Sequence, residues 1–519
     1  MVDAGWGSLD RGAQRYLTSA RVRASQCLRW GWIPLLLTTL LRAVWLGQFP
    51  VNPLGPIDAE GFHLLARNLL DGRGFAIGWE APFCPTAIRT PLYPLFIAAI
   101  YASLGRLPEV VVLCQILLET FTTALVISLA GQLFREGGHK VRCSSLWPLL
   151  PGMLYALNGT TQRFTGYLLS EALLLPLLMA ALLLTVSLFR QPRWTRAGAA
   201  GLLWGLVLLT KPNLQYLVLA VTLLVIMRLL TFRGRILLRV PRMAMGLAFC
   251  GLLIAALAPW LLRNYRRFDR WLLSTAFEEN LARVSVVAVR AELLGIEAEP
   301  WTPTWEHVYS EFVISVDPAA AIILQQHPGA SCTELDHYRR EVAVAARRSV
   351  ADNAGLYLSL HLQAVGRSLL DPGHRFWYRV WTGRDWVQTG VLSAIGARLH
   401  WALQRGAWGD ALSVFWQERV SRIPHDAGLL WWGLWAGRLA VWWLAVRGIV
   451  RLRSLGPVAL LLLGTVAYHL ILPGPIAYDR FYAPVVPVVT VLVACGAHGY
   501  NSRQRLPAHR LGGWGGHDD

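Results

Sequence analysis

Apolar residues in this chain fall into blocks near twenty residues long, separated by shorter polar stretches. The blocks lie at roughly 29–48, 109–132, 146–165, 169–189, 197–211, 213–231, 243–262, 427–446, 455–473 and 482–498. A helix needs about twenty residues to cross about 30 Å of hydrocarbon. Backbone groups left unsatisfied in lipid cost several kcal/mol each, so an apolar block of this length must be helical. The pattern predicts an all-α polytopic membrane protein with about ten transmembrane helices. Pro212 divides 197–211 from 213–231 and leaves a single broken span as the alternative there.

Two longer stretches between blocks, 49–108 and 263–426, are predicted to lie outside the membrane on one face. In the first, Phe62, Leu65, Ala66 and Leu69 recur at helical spacing, with Arg67, Asn68 and Asp71 opposite and Gly72 and Gly74 closing the segment. The run from Pro91 to Leu104 is apolar but short, and counting it as a span would invert the side of every later basic cluster. It therefore reads as a helix lying in the interface. The second loop contains helical stretches at 333–370 and 384–404, and aromatic-rich turns such as HRFWYRVW at 374–381 that suit the headgroup region. The chain then divides into a cytoplasmic segment 1–28, a transmembrane module 29–268, the outer loop 269–426, C-terminal helices 427–499 and a cytoplasmic, disordered tail 500–519.

Composition supports this reading. The chain is 55% hydrophobic and only 15% charged. Its net charge of +18 would suggest nucleic acid if position were ignored. The basic residues cluster before the first block and at 135–142, 190–196, 228–242, 447–453 and 503–510. With the N-terminus in the cytoplasm, all of these fall on the cytoplasmic side, so the charge reports orientation and no nucleic acid is expected. The N-terminal block lacks a small-residue cleavage site and reads as a retained signal-anchor. Of seven cysteines, Cys84 and Cys332 map to the non-cytoplasmic side and could pair there.

Candidate chemistry gathers at that same face. Asp58 and Glu60 form an acidic pair about ten residues past the first block. Asp58 could instead cap the following helix, with Glu60 favouring its dipole. Arg89 follows in the same loop, Glu171 opens the fourth block, and Lys211, Arg263 and Arg480 fall at or near outer membrane ends, where cationic groups suit phosphate. Lys211 could equally be a snorkelling anchor, and Glu171 a helix-start carboxylate. Glu119 and Arg438 fall inside apolar blocks, where a charge costs at least about 2.5–3.5 kcal/mol. His469 reads as a satisfied helix histidine.

A D-x-E pair in the first outer loop, an R-x-P-x-Y-P segment some thirty residues later and a Ser-Glu opening a span together resemble the GT-C glycosyltransferases. The branch of protein O-mannosyltransferases and lipid A aminoarabinose transferases is the nearest in look. The matching pieces are DAEGFHLLARNLLDGRGF (58–75), RTPLYPLFIAAIYASLG (89–105), YLLSEALLLPLL (167–178), LLTKPN (208–213), PWLLRNYRRF (259–268) and AYDRFYAPVVP (477–487). The resemblance implies a GT-C-like arrangement and catalytic carboxylates at Asp58, Glu60 and Glu171, with Asp58 the base and Glu60 orienting it or supporting a metal. It implies donor-phosphate binding by Arg89, Lys211, Arg263 and Arg480, and a substrate cavity lined by Tyr93 and Tyr482. A divalent metal is left open. The aminoarabinose branch carries an acidic residue where Ile88 stands, which argues against a metal ligand at that position.

The function this implies is transfer of a sugar from a polyprenyl-phosphate donor to a lipid, glycan or protein acceptor at the non-cytoplasmic face of a membrane, with inversion. Such transfer needs a base for the acceptor's proton and cations for the departing phosphate. Two alternatives stand beside it: a transporter or flippase of lipid-linked saccharides, and a non-catalytic relative.

Overall fold

The computed structural model describes residues 30–136, 149–231, 239–296, 298, 300–319, 331–370, 374–382, 407, 409–410, 413, 428–476 and 479–497. The N-terminal segment, the helix expected over 384–404 and the C-terminal tail lie outside these. Helices dominate the described residues. Five are long and apolar enough to cross a membrane: α1 (Trp30–Gln48) and the stretches Pro108–Phe134, Glu171–Arg190, Pro212–Thr231 and Arg242–Phe268. All five coincide with predicted blocks.

The other five blocks form helices that fall short of that description, for local reasons. Block 146–165 breaks at Leu157 and Asn158 into two helices of seven residues each, Leu150–Ala156 and Gly159–Thr165. Blocks 197–211, 455–473 and 482–498 give helices of 17, 15 and 12 residues. The helix over block 427–446, Gly428–Leu452, is long but carries Arg438, Arg447 and Arg451. Pro212 does end one helix and start another, with a 3-10 turn at Pro212–Leu214 between them.

After α1 the chain forms α2 (Ile57–Leu70), a two-stranded antiparallel hairpin of β1 (Ala76–Ile77) and β2 (Cys84–Pro85), and α3 (Leu92–Leu104). Helix α2 follows the predicted spacing, with Phe62, Leu65 and Ala66 buried. It packs on α3 through an edge-on contact of Phe62 with Tyr93, ring centres 4.9 Å apart. Then come α4 (Pro108–Glu136), α5 (Leu150–Ala156), α6 (Gly159–Thr165), α7 (Glu171–Arg190), α8 (Trp194–Thr210), α9 (Gln215–Thr231) and α10 (Arg239–Phe268). Their main core includes Leu129, Leu178, Leu182, Trp204 and Phe249.

Close helix approach comes from small residues. A Cβ on Gly201 of α8 would lie 2.0 Å from the carbonyl oxygen of Phe249 in α10. Such contact maximises packing where lipid is as apolar as the side chains.

The second loop is built of short helices, α11 (Ala276–Asn280), α12 (Val287–Leu293), α13 (Pro303–Val316), α14 (Cys332–Asp352), α15 (Ala354–Leu370) and α16 (His374–Thr382). The last corrects the expected aromatic turns: HRFWYRVW is helical, because its alternation of aromatic and basic residues also gives a helix one apolar side. A Cβ on Gly159 would meet Phe376 of α16 at 2.2 Å, so this helix sits directly on the α5–α6 break. Cys84 and Cys332 are joined in a disulfide with Cα atoms 5.2 Å apart, tying the hairpin to the start of α14. The chain ends in α17 (Gly428–Leu452), α18 (Pro457–Ile471), α19 (Asp479–Tyr482) and α20 (Val486–Ala497).

Candidate active site

Four helix ends meet at one place. Asp58 lies in the first turn of α2, Glu171 opens α7, Lys211 follows the last residue of α8, and Arg480 sits in the short helix α19. Arg89 joins them from the loop before α3. Arg480 is the centre of the group. Its Nη1 donates to Asp58 Oδ2 at 2.6 Å, its Nε to Glu171 Oε1 at 2.7 Å and its Nη2 to Glu171 Oε2 at 3.1 Å. Arg89 Nη2 donates to the other oxygen of Asp58. Lys211 Nζ donates to Glu171 Oε1 at 2.6 Å.

The Asp58 carboxylate reaches two arginines, 31 and 422 residues away in sequence, and caps no helix. The capping alternative therefore falls away. Glu171, 4% exposed, spends its helix-start position on Lys211 and Arg480.

The loop that presents Arg89 is held from below. Arg263, near the end of α10, donates through Nη1 to the carbonyl of Thr86 at 2.7 Å and through Nη2 to that of Phe75 at 3.0 Å. Ser274 Oγ donates to the carbonyl of Ile88 at 2.6 Å, and the Thr275 amide to that of Ala87 at 3.0 Å. The chain just before Arg89 is thus fixed carbonyl by carbonyl. This corrects the expectation for Arg263. Its guanidinium is enclosed by Trp260, Phe268 and Phe75 and donates to those two carbonyls and to Asn264 Oδ1, so it positions the Arg89 loop and does not join the charged group.

Three other expected site residues make their hydrogen bonds or ring contacts outside the cluster. Glu60 is on α2 with Asp58, but residues two apart on a helix point about 200° apart. Its Oε1 accepts from Trp79 Nε1 at 3.0 Å, on the side away from Arg480. Tyr93, expected to line a cavity, is fully buried and donates to Gln115, whose amide in turn bonds the carbonyls of Thr165 and Tyr167 at 2.9 Å. Tyr482 is buried beneath Arg438, whose guanidinium carbon lies 3.9 Å from the ring centre.

One charged pair was only half legible. Glu119 stands out in its apolar block, and the structure gives it Arg42 of α1 as a partner. Arg42 Nη2 donates to Glu119 Oε2 at 3.1 Å and to Thr161 Oγ1 at 3.0 Å, and Tyr155 donates to the same carboxylate. The signal was an arginine in the middle of the first block. His469 is buried and bonds the carbonyl of Thr465 at 2.8 Å, as a helix histidine commonly does.

The electrostatics of the main group favour anions. Two carboxylates face three cations, leaving one positive charge in excess. Burial alone would raise the Asp58 carboxyl, but the Arg89 and Arg480 guanidiniums outweigh it and hold the group well below the usual carboxylate range. Among the described residues no three His, Cys, Asp or Glu side chains converge as a metal site. The oxygens of Asp58 and Glu171 face guanidinium and ammonium groups that would repel a divalent cation, so this arrangement fits a metal poorly.

Fold and site together define a predominantly helical membrane protein with a half-buried acid–base cluster where its helix ends converge. No protein-family model matches the chain, and no curated protein matches it significantly.

Proposed function

We propose that this chain is an integral membrane glycosyltransferase of GT-C type that moves a sugar from a polyprenyl-phosphate donor to an acceptor at the non-cytoplasmic face, with inversion. The observation that carries the reading is the convergence of Asp58, Glu171, Arg89, Lys211 and Arg480, drawn from five separate stretches of sequence, into one group with a spare positive charge. The resemblance of those stretches to the GT-C enzymes supports it. Shorter helices flanked by 3-10 turns would complete a GT-C-like arrangement of about ten crossings. The Cys84–Cys332 bridge suits an oxidising compartment, which supports the side assigned to this face.

In this reading the acceptor hydroxyl oxygen attacks the anomeric carbon as the bond from that carbon to the phosphate oxygen breaks. The bonding pair leaves with the phosphate, and Arg89, Arg480 and Lys211 balance the charge that develops there. The hydroxyl proton passes to Asp58 on the face opposite the leaving group, which gives inversion. A carboxylate held by two arginines is a weak base. A donor phosphate that draws Arg480 and Arg89 toward itself would relax that hold and return basicity to Asp58 when the proton must move. Glu171 keeps Arg480 and Lys211 in place.

Asp58→Asn is the test, with transfer from a polyprenyl-phosphate sugar followed by mass spectrometry of the acceptor. General-base loss predicts a fall of about 100-fold or more. Wild-type transfer by the variant would remove Asp58 as the base. No transfer by the unaltered protein with several donors would turn the reading toward a transporter or a non-catalytic relative.

A further inference from the structure

Glu119 and Arg438 both stand inside apolar blocks of the sequence, and they meet different fates. Glu119 is neutralised by Arg42. Arg438, in α17, has no carboxylate partner among the described residues. Its Nε donates to the carbonyl of Leu369 at 2.9 Å and its Nη2 to that of Ser368 at 2.9 Å. Its guanidinium lies over Tyr482, and over Trp442 with the ring centre 5.3 Å away. Carbonyls and ring faces orient this cation, and among the described residues no carboxylate offsets its charge. Nη1 donates to none of the described residues, although a guanidinium carries five N–H groups.

Arg438 opens instead onto a cavity of about 190 Å³, lined also by Leu154, Leu157, Asn158, Gly159, Thr160 and Trp377. The break between α5 and α6 forms one wall. Asn158 Oδ1 accepts from the Thr161 amide at 3.1 Å, which fixes the side-chain amide and turns its NH2 away from that bond. Neither that NH2 nor the Thr160 hydroxyl has a partner among the described residues. The cavity therefore offers a guanidinium edge, an amide NH2 and a hydroxyl, and among the described residues no carboxylate lines it. Beside it, α17 exposes Leu439 and Trp443, an apolar side that favours hydrocarbon over water.

We propose that this cavity binds a phosphate ester carried on a lipid, with Arg438 as the counter-ion and Asn158 and Thr160 as further donors. Guanidinium donors match phosphate oxygens in spacing and charge. The two leucines and the exposed side of α17 meet the chains. The site is separate from the acid–base cluster, although α19 reaches both: Arg480 enters the cluster and Tyr482 lies under Arg438. It does not depend on the chain being a transferase.

Native mass spectrometry of the full chain from mixed micelles tests this, with phosphatidylglycerol, polyprenyl phosphate and diacylglycerol as probes. The phosphate lipids should be retained at least tenfold over diacylglycerol, and Arg438→Gln should hold one fewer per chain. The phosphate lipid whose occupancy falls in Arg438→Gln identifies its source. Thr160→Val, which keeps shape and loses the hydroxyl, should weaken retention several-fold and covers the case in which Arg438→Gln does not fold. Equal retention of diacylglycerol, or wild-type occupancy in both Arg438→Gln and Thr160→Val, overturns the proposal.

Discussion

Arg480 offers the sharpest test of the cluster, because one side chain bridges both carboxylates. Its side chain is 17% exposed and that of Glu171 is 4% exposed. Arg480→Gln removes three charge-assisted hydrogen bonds, two to Glu171 and one to Asp58. Removing one partner of a buried pair costs about 3–5 kcal/mol when the other charge is stranded. Here Lys211 still faces Glu171 and Arg89 still faces Asp58, so the lower end, about 3 kcal/mol, is expected. Glu171→Gln leaves Arg480 its bond to Asp58 but strands Lys211, at about 3–5 kcal/mol. The double variant removes the pair together and should cost about 2 kcal/mol less than the two single effects added. Unfolding of the three variants in one mild detergent, followed by near-ultraviolet circular dichroism against denaturant, measures this cycle. Additivity within about 0.5 kcal/mol would show that the two side chains do not act on each other, and would refute the cluster as described.

Glu60→Gln should leave sugar transfer within about threefold of wild type, since the residue faces Trp79 and not Arg480; a loss as large as that of Asp58→Asn would overturn this placement. Gly159→Ala should destabilise the protein by about 1–3 kcal/mol, because the added carbon would lie 2.2 Å from Phe376, and Gly159→Ala with Phe376→Leu should recover part of it in the same unfolding assay. Replacing Cys84 and Cys332 by serine opens a loop of 248 residues, for which chain entropy sets a ceiling of about 5 kcal/mol; an unchanged denaturation midpoint would mean the bridge constrains nothing in the unfolded chain. Asp58 should make stability fall in acid. Its carboxyl is depressed in the folded state, so its contribution is complete above the ordinary value of 3.8 and is lost as pH falls below that toward the folded value. Stability measured at pH 7, 5 and 3 should show this loss between the last two, and Asp58→Asn should lessen it.

Much of the site could be read from position along the chain. Asp58, Glu171, Lys211 and Arg480 each stand at the end of an apolar run, and helix ends that alternate across a membrane must return to the same face. That rule alone brings those four residues to one level. It does not say which of them touch. Arg263 obeys the same rule and yet turns to the carbonyls of Phe75 and Thr86 at the hairpin. Nor does the rule say where an apolar block will break. Block 146–165 has no charge until Arg163, and the break at Asn158 becomes intelligible only once Arg42 and Gln162 are seen to reach the Ala156 carbonyl it frees.

The pair Asp58 and Glu60 shows why the rest stayed hidden. Read as a loop, two acidic residues with one between them would point the same way and share one task. Placed in the first turn of α2 they diverge by about 200°, and the helix sends one toward Arg480 and the other toward Trp79. What separates their roles is the period of the backbone. Phe62, Leu65 and Ala66 fix the phase of α2 by burying one side of it, and that phase decides which carboxylate enters the cluster. A substitution that re-phased α2, such as Ala59→Glu at a wholly buried position in its first turn, would therefore disrupt the Asp58–Arg480 contact without touching either residue.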